Sequence, residues 1–137
     1  MIVLTYGTFD LYHYGHKRLL ERAAGLGTKL IVGLSVDRFN AEKGKESILN
    51  YEHRKEIIGS VRYVDKIIPE ESWGQKPKDI KREKADLLVM GSDWSGAFDY
   101  LSDIVEVIYL PRTEGVSTTD IKNALLTHAL QHKERQG

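Results

Sequence analysis

Short apolar runs alternate with amphipathic stretches along the whole chain. Ile2-Val3-Leu4, Leu30-Ile31-Val32-Gly33-Leu34 and Leu87-Leu88-Val89-Met90 are apolar at consecutive positions. A strand covered on both faces reads this way, whereas a strand with one wet face alternates. Lys66-Ile67-Ile68, stopped by Pro69, and Val105 to Leu110, stopped by Pro111, bring the predicted strands to five. Gly91 ends the fourth of them in chain order.

Helical patterns lie between these runs. From Lys17 to Leu26, Leu19, Leu20, Ala23 and Ala24 share one face, and Lys17, Arg18, Glu21 and Arg22 the other. Gly27 is the expected C-cap. Tyr51 to Val61 follows Asn50, a favoured N-cap residue. Lys78 to Lys84 is a third helix, and Thr119 to His128 a fourth, with Ser117 or Thr118 as its cap. Strands alternating with helices predict an α/β fold with right-handed crossovers and a parallel sheet. Ligands in such a sheet bind beyond the carboxyl ends of the strands, where strand order reverses. The loops after the first, fourth and fifth strands are therefore the places to look.

Composition narrows the picture. A chain of 137 residues suits one domain, and no repeat or linker divides it. Lys plus Arg and Asp plus Glu both number 20, so the basic excess of a protein that wraps long nucleic acid is missing. A small anionic substrate needs only a few local cations. With no cysteine, disulfides and thiol chemistry are excluded. No stretch approaches the ~20 apolar residues of a membrane span, and no leader pattern precedes Ile2, so a cytoplasmic protein without membrane insertion is expected.

Two loops carry candidate chemistry. Tyr6-Gly7-Thr8-Phe9-Asp10-Leu11-Tyr12-His13-Tyr14-Gly15-His16 leaves the first strand and enters the first helix. His13 and His16 fall where a helix start offers backbone N–H groups, and imidazole donors there can stabilise charge on a phosphoryl group in transfer. A lone histidine would more simply be a packing residue. Here the glycines, the spacing and the place after the strand act together. Zinc is the other reading of the pair, but a third ligand at a recognisable spacing is missing. Arg112-Thr113-Glu114-Gly115-Val116-Ser117-Thr118-Thr119 follows the fifth strand into the last helix and suits a polyphosphate, against the plainer reading of a capped helix start. Lys43-Gly44-Lys45 reads equally as a phosphate flap or a solvated turn. Arg54 and Arg62 read as surface ion-pair partners, worth about 0–1 kcal/mol each. Trp73 with Lys76 can line a substrate pocket; for Trp73 and Trp94 the competing reading is core packing.

Both loops resemble the signatures of a known family. The His-x-Gly-His of His13 to His16 is similar to that of the nucleotidyltransferase superfamily, and Arg112 to Thr119 resembles the second signature of its cytidylyltransferase branch. Tyr51-Glu52-His53-Arg54-Lys55, Arg62-Tyr63-Val64-Asp65 and Met90-Gly91-Ser92-Asp93-Trp94 resemble further strings of that branch. The resemblance spans about Ile2 to Leu126. It implies one Rossmann-like domain over 1–126, a five-stranded parallel sheet of order 3-2-1-4-5 with helices on both faces, and a homodimer. Residues 127–137 are expected to be a frayed tail. It further implies transfer of a cytidylyl group from CTP, with Mg²⁺ carried on the nucleotide, to glycerol 3-phosphate. The products would be pyrophosphate and CDP-glycerol, a precursor of teichoic acids. Phosphocholine, phosphoethanolamine, a larger acceptor or adenylyl transfer are rivals within the superfamily, and a non-catalytic nucleotide-binding module is a rival outside it. By resemblance His13, His16, Lys45 and Arg112 are catalytic. Thr8, Phe9, Asp10, Asp93 and the run Thr113, Glu114, Gly115, Val116, Ser117, Thr118 and Thr119 hold the nucleotide. Lys43, Trp73 and Lys76 hold the acceptor.

Overall fold

The computed structural model describes residues 1–112 and 118–136. Five strands form one parallel sheet in the order β3-β2-β1-β4-β5. They are β1 (Ile2–Gly7), β2 (Lys29–Ser35), β3 (Lys66–Glu70), β4 (Leu87–Gly91) and β5 (Glu106–Leu110). The helices are α1 (Tyr14–Ala24), α2 (Asp37–Glu42), α3 (Tyr51–Gly59), α4 (Lys76–Glu83) and α5 (Thr118–Gln136). The expected strand order and the cover on both faces are therefore present. Successive strand side chains point to opposite faces. Val3, Leu30, Val32 and Val89 join Leu20, Ala23 of α1 and Ile58 of α3 on one side. Leu4, Ile31, Leu88 and Met90 join Ile80 of α4 and Phe98 and Leu101 of the β4–β5 connection on the other.

Several boundaries differ from expectation, each for a local reason. β3 does not stop at Pro69; it continues to Glu70, with Pro69 opposite Leu34 and Glu70 opposite Ser35. β3 is an edge strand, and an edge has one unpaired side on which a residue without N–H is tolerated. α1 begins at Tyr14 because His13 caps it, and it ends with Gly25 as cap residue. Gly27 serves another purpose: a Cβ there would lie 2.5 Å from the Met1 carbonyl oxygen. α2 was absent from the sequence pattern, being only six residues long. α3 has the expected Asn50 cap, whose side chain accepts the His53 N–H at 2.9 Å. α5 continues well past His128 into the stretch expected to be a tail.

Strand order reverses between β1 and β4. Their carboxyl ends, Gly7 and Gly91, line the same crevice, which Leu110 at the end of β5 and Thr118 and Thr119 at the start of α5 also border. Among the described residues no helix is long and apolar enough to cross a membrane.

Candidate active site

The β1–α1 loop is bent tightly. Phe9 and Leu11 both have φ of 50°, a left-handed conformation that costs an L-residue roughly 1–2 kcal/mol. Three anchors hold the bend. The Asp10 carboxylate accepts the N–H groups of Ile48 (2.7 Å) and Leu49 (3.0 Å). The Thr118 hydroxyl of α5 donates to the Asp10 carbonyl at 2.9 Å. The Arg54 guanidinium donates to the Thr8 carbonyl at 2.9 Å. Phe9 is buried beneath Gly7, where a Cβ would meet its ring at 2.7 Å.

The bend delivers the two histidines as a pair. Nδ1 of His13 accepts the Gly15 N–H at 3.0 Å, and Nδ1 of His16 accepts the His13 N–H at 3.3 Å. The rings stack 3.8 Å apart, and Phe9 meets His16 edge-on at 5.3 Å. Burial lowers the pKa of His13. It lowers that of His16 to about 3, with His13 adding to the effect and Asp10 opposing it. Both rings are thus neutral near pH 7. Because each Nδ1 is an acceptor, each proton sits on Nε2. Nε2 of His13 is buried without a hydrogen-bond partner among the described residues. The pair presents neutral N–H donors, not imidazolium charge.

Both rings line a cleft with two adjoining compartments of about 390 and 420 Å³. His13, Arg22 and Arg112 border the first. Thr8, Phe9, Asp10 and Lys122 border the second. His16, Lys45, Asp93, Thr118 and Thr119 face both. The structure therefore brings the first signature loop together with Arg112, Thr118 and Thr119 of the second. The expected nucleotide contacts Thr113, Glu114, Gly115, Val116 and Ser117 lie outside the described residues.

A small recess of about 50 Å³ adjoins the cleft, and Lys45 borders both. Lys43, Trp73 and Lys76 meet there. Lys43 is not on a solvated turn: its side chain is only 8% exposed, and its Nζ lies 4.5 Å from the Phe39 ring centre. Lys76 is buried beneath Tyr6, Phe98 and Trp73, at 4.5, 4.9 and 5.6 Å from the ring centres. Trp73 is not a core residue but half-exposed, edge-on to Phe39 and Trp94. Burial lowers the Lys43 pKa, Glu70 opposes this, and Lys45 and Lys76 reinforce it.

Sequence reasoning missed three contributors. Lys122 reaches from α5 to within 3.6 Å of the Asp10 carboxylate and borders the cleft. Glu70 pairs with both recess lysines. Arg54, expected at the surface, is fully buried. Only the position of Glu70, at the carboxyl end of a parallel strand, could have singled it out beforehand.

Comparison with known proteins agrees with this architecture. Residues 4–124 match the family described as cytidylyltransferase-like. The chain belongs to that family. It is 56% identical over 123 residues to the glycerol-3-phosphate cytidylyltransferase of Bacillus subtilis, covering 90% of this chain and 95% of that one. It is 57% identical to the enzyme of the same name from Staphylococcus aureus, covering 90% and 93%. Among solved structures, the lipopolysaccharide core biosynthesis protein of Thermoplasma volcanium superposes with a TM-score of 0.75 at 25% identity, over 83% of this chain and 98% of that one.

Proposed function

We propose that the protein transfers a cytidylyl group from CTP to glycerol 3-phosphate, giving CDP-glycerol and pyrophosphate. The observation that carries this reading is the stacked pair of neutral imidazoles at the start of α1, which lines one compartment with Lys45, Arg112 and the first turn of α5. Close identity to glycerol-3-phosphate cytidylyltransferases supports the choice of both substrates.

The chemistry asks little of the protein beyond alignment and charge stabilisation. A phosphate oxygen of glycerol 3-phosphate forms a bond to the α-phosphorus of CTP. The bond to the bridging oxygen breaks in line, and pyrophosphate leaves with the electron pair. The nucleophile is already anionic near pH 7, so no general base is needed. This suits histidines too weakly basic to accept a proton there. His13 and His16 donate to phosphoryl oxygens whose charge grows in the transition state. Arg112, Thr118, Thr119 and Lys45 bind the triphosphate. Thr8, Phe9 and Asp93 border the nucleotide, and Asp10 acts by holding the loop. Lys43, Lys76 and Trp73 receive the acceptor, and Lys45 stands between acceptor and nucleotide.

No group of three or more His, Cys, Asp or Glu among the described residues is arranged to hold a metal ion by itself. The donor set fits a metal that arrives on the triphosphate, with the exposed carboxylate of Asp93 on the cleft wall to meet it. Such an ion, Mg²⁺ in our reading, would neutralise phosphate charge. We further propose that the protein is cytoplasmic and a homodimer; sedimentation of the purified protein would check the oligomeric state.

The test pairs each nucleoside triphosphate with glycerol 3-phosphate, phosphocholine or phosphoethanolamine and follows pyrophosphate release. Release with CTP and glycerol 3-phosphate alone is expected. Release with another pair would discard the acceptor but keep the histidine chemistry. CTP binding without release from any pair would favour a non-catalytic module.

A further inference from the structure

We infer that Glu70 is the positioning residue of the acceptor subsite, holding Lys43 and Lys76 so that both ammonium groups converge on one phosphate. This rests on the proposed function. Two lysines in an aromatic recess repel each other and lose hydration, so they need a fixed anion to hold them in place. Glu70 supplies one carboxylate oxygen to each: Oε2 is 3.0 Å from Lys76 Nζ, and Oε1 is 3.7 Å from Lys43 Nζ. The carboxylate is 4% exposed and the Lys76 side chain 1%. Its backbone is rigid, since Glu70 ends β3 opposite Ser35 and its carbonyl accepts the Val36 N–H at 3.0 Å.

The geometry divides the labour. Lys76 is the tightly paired cation, buried under three rings, while Lys43, at 3.7 Å from the same carboxylate, is held more loosely. Lys43 is therefore the group that turns toward an incoming phosphate, while Lys76 meets it with its remaining N–H donors and stays paired with Glu70. With the carboxylate neutralised, Lys76 loses its closest partner and the two ammonium groups lose the charge that keeps them together. Glu70 touches no reacting atom in this account; it acts through the lysines, as supporting groups do at charged sites.

The experiment measures steady-state pyrophosphate release in wild type, Glu70→Gln and Glu70→Asp, varying glycerol 3-phosphate and CTP separately. In Glu70→Gln the acceptor KM is expected to rise roughly 10–100-fold, the scale of a lost hydrogen bond to a charged group. The KM for CTP should stay within about twofold, because the nucleotide cleft is untouched. Glu70→Asp keeps the charge but withdraws it by one methylene, and a smaller rise in acceptor KM is expected. Should Glu70→Gln fail to fold, as judged by thermal unfolding, Glu70→Asp decides. An acceptor KM that is unchanged or lowered in the folded variants overturns the inference, as does a parallel rise in the KM for CTP. Absence of turnover in wild type with this substrate pair overturns instead the reading on which the inference stands.

Discussion

Replacing Arg54 by alanine distinguishes a surface ion pair from a buried clamp, because the two differ severalfold in energy. The guanidinium is fully buried. Its Nε donates to the Leu49 carbonyl at 3.0 Å, and one terminal nitrogen donates to the carbonyls of Thr8 (2.9 Å) and Ser35 (2.7 Å). The other donates to Asp37 at 2.7 Å. Asp37 is 51% exposed, so that pair adds no more than about 0–1 kcal/mol. The larger part comes from three carbonyls on three separate segments, at least one of them wholly enclosed. Their donor vanishes in Arg54→Ala, and a large void opens beside them. The loss is expected to be about 3–5 kcal/mol. For a chain of this length that corresponds to a fall in Tm of roughly 10–15 °C. Urea unfolding followed by circular dichroism at constant m-value measures it directly. Arg54→Lys, which keeps the charge but not the fork, should recover only part of the stability. A loss under about 1 kcal/mol for Arg54→Ala would show that the guanidinium is hydrated in solution and the clamp does not exist.

Three further outcomes follow from the same geometry. His16→Ala should lower kcat by about 10²–10³ while CTP binding, measured by calorimetry, changes little; near-normal turnover would remove the imidazole pair from the mechanism. Gly33→Ala places a Cβ 2.2 Å from the Tyr6 ring, which also supports Lys76. It should cost about 1–3 kcal/mol in unfolding experiments and raise the acceptor KM more than that for CTP. His16 titrates at about 3 when folded and near 6.5 when unfolded, so between these values the unfolded chain binds the extra proton. Its contribution to stability is complete above pH 6.5 and is lost as pH falls toward 3. His16→Asn should therefore lose less stability than wild type on acidification across that window, and equal urea-midpoint slopes for the two proteins would contradict the shift.

What could be read from the sequence and what could not divides by the range of the interactions involved. The strands were legible because burial on both faces leaves a continuous apolar run, and α3 because its cap is decided within four residues, from Asn50 to His53. The histidine pair was legible for the same reason. His13, Gly15 and His16 satisfy one another within a single turn, so the motif carries its own geometry. Pro69 was misplaced because its effect depends on whether the strand is central or at an edge, a property of the assembled sheet. Arg54 was misread because a charged side chain on a helix is ordinarily solvated, and its carbonyl partners meet only after β1, β2 and the approach to α3 have come together. Glu70 carries no motif at all. Its chemistry arises because β3 ends where α2 and α4 each deliver a lysine, from Lys43 just past the end of one and Lys76 at the start of the other. Buried polar groups satisfied across long sequence distances have no local periodicity to betray them. They are also the groups whose loss leaves partners stranded in low dielectric. Arg54, misread in the sequence, is therefore the residue whose replacement is expected to cost the most stability.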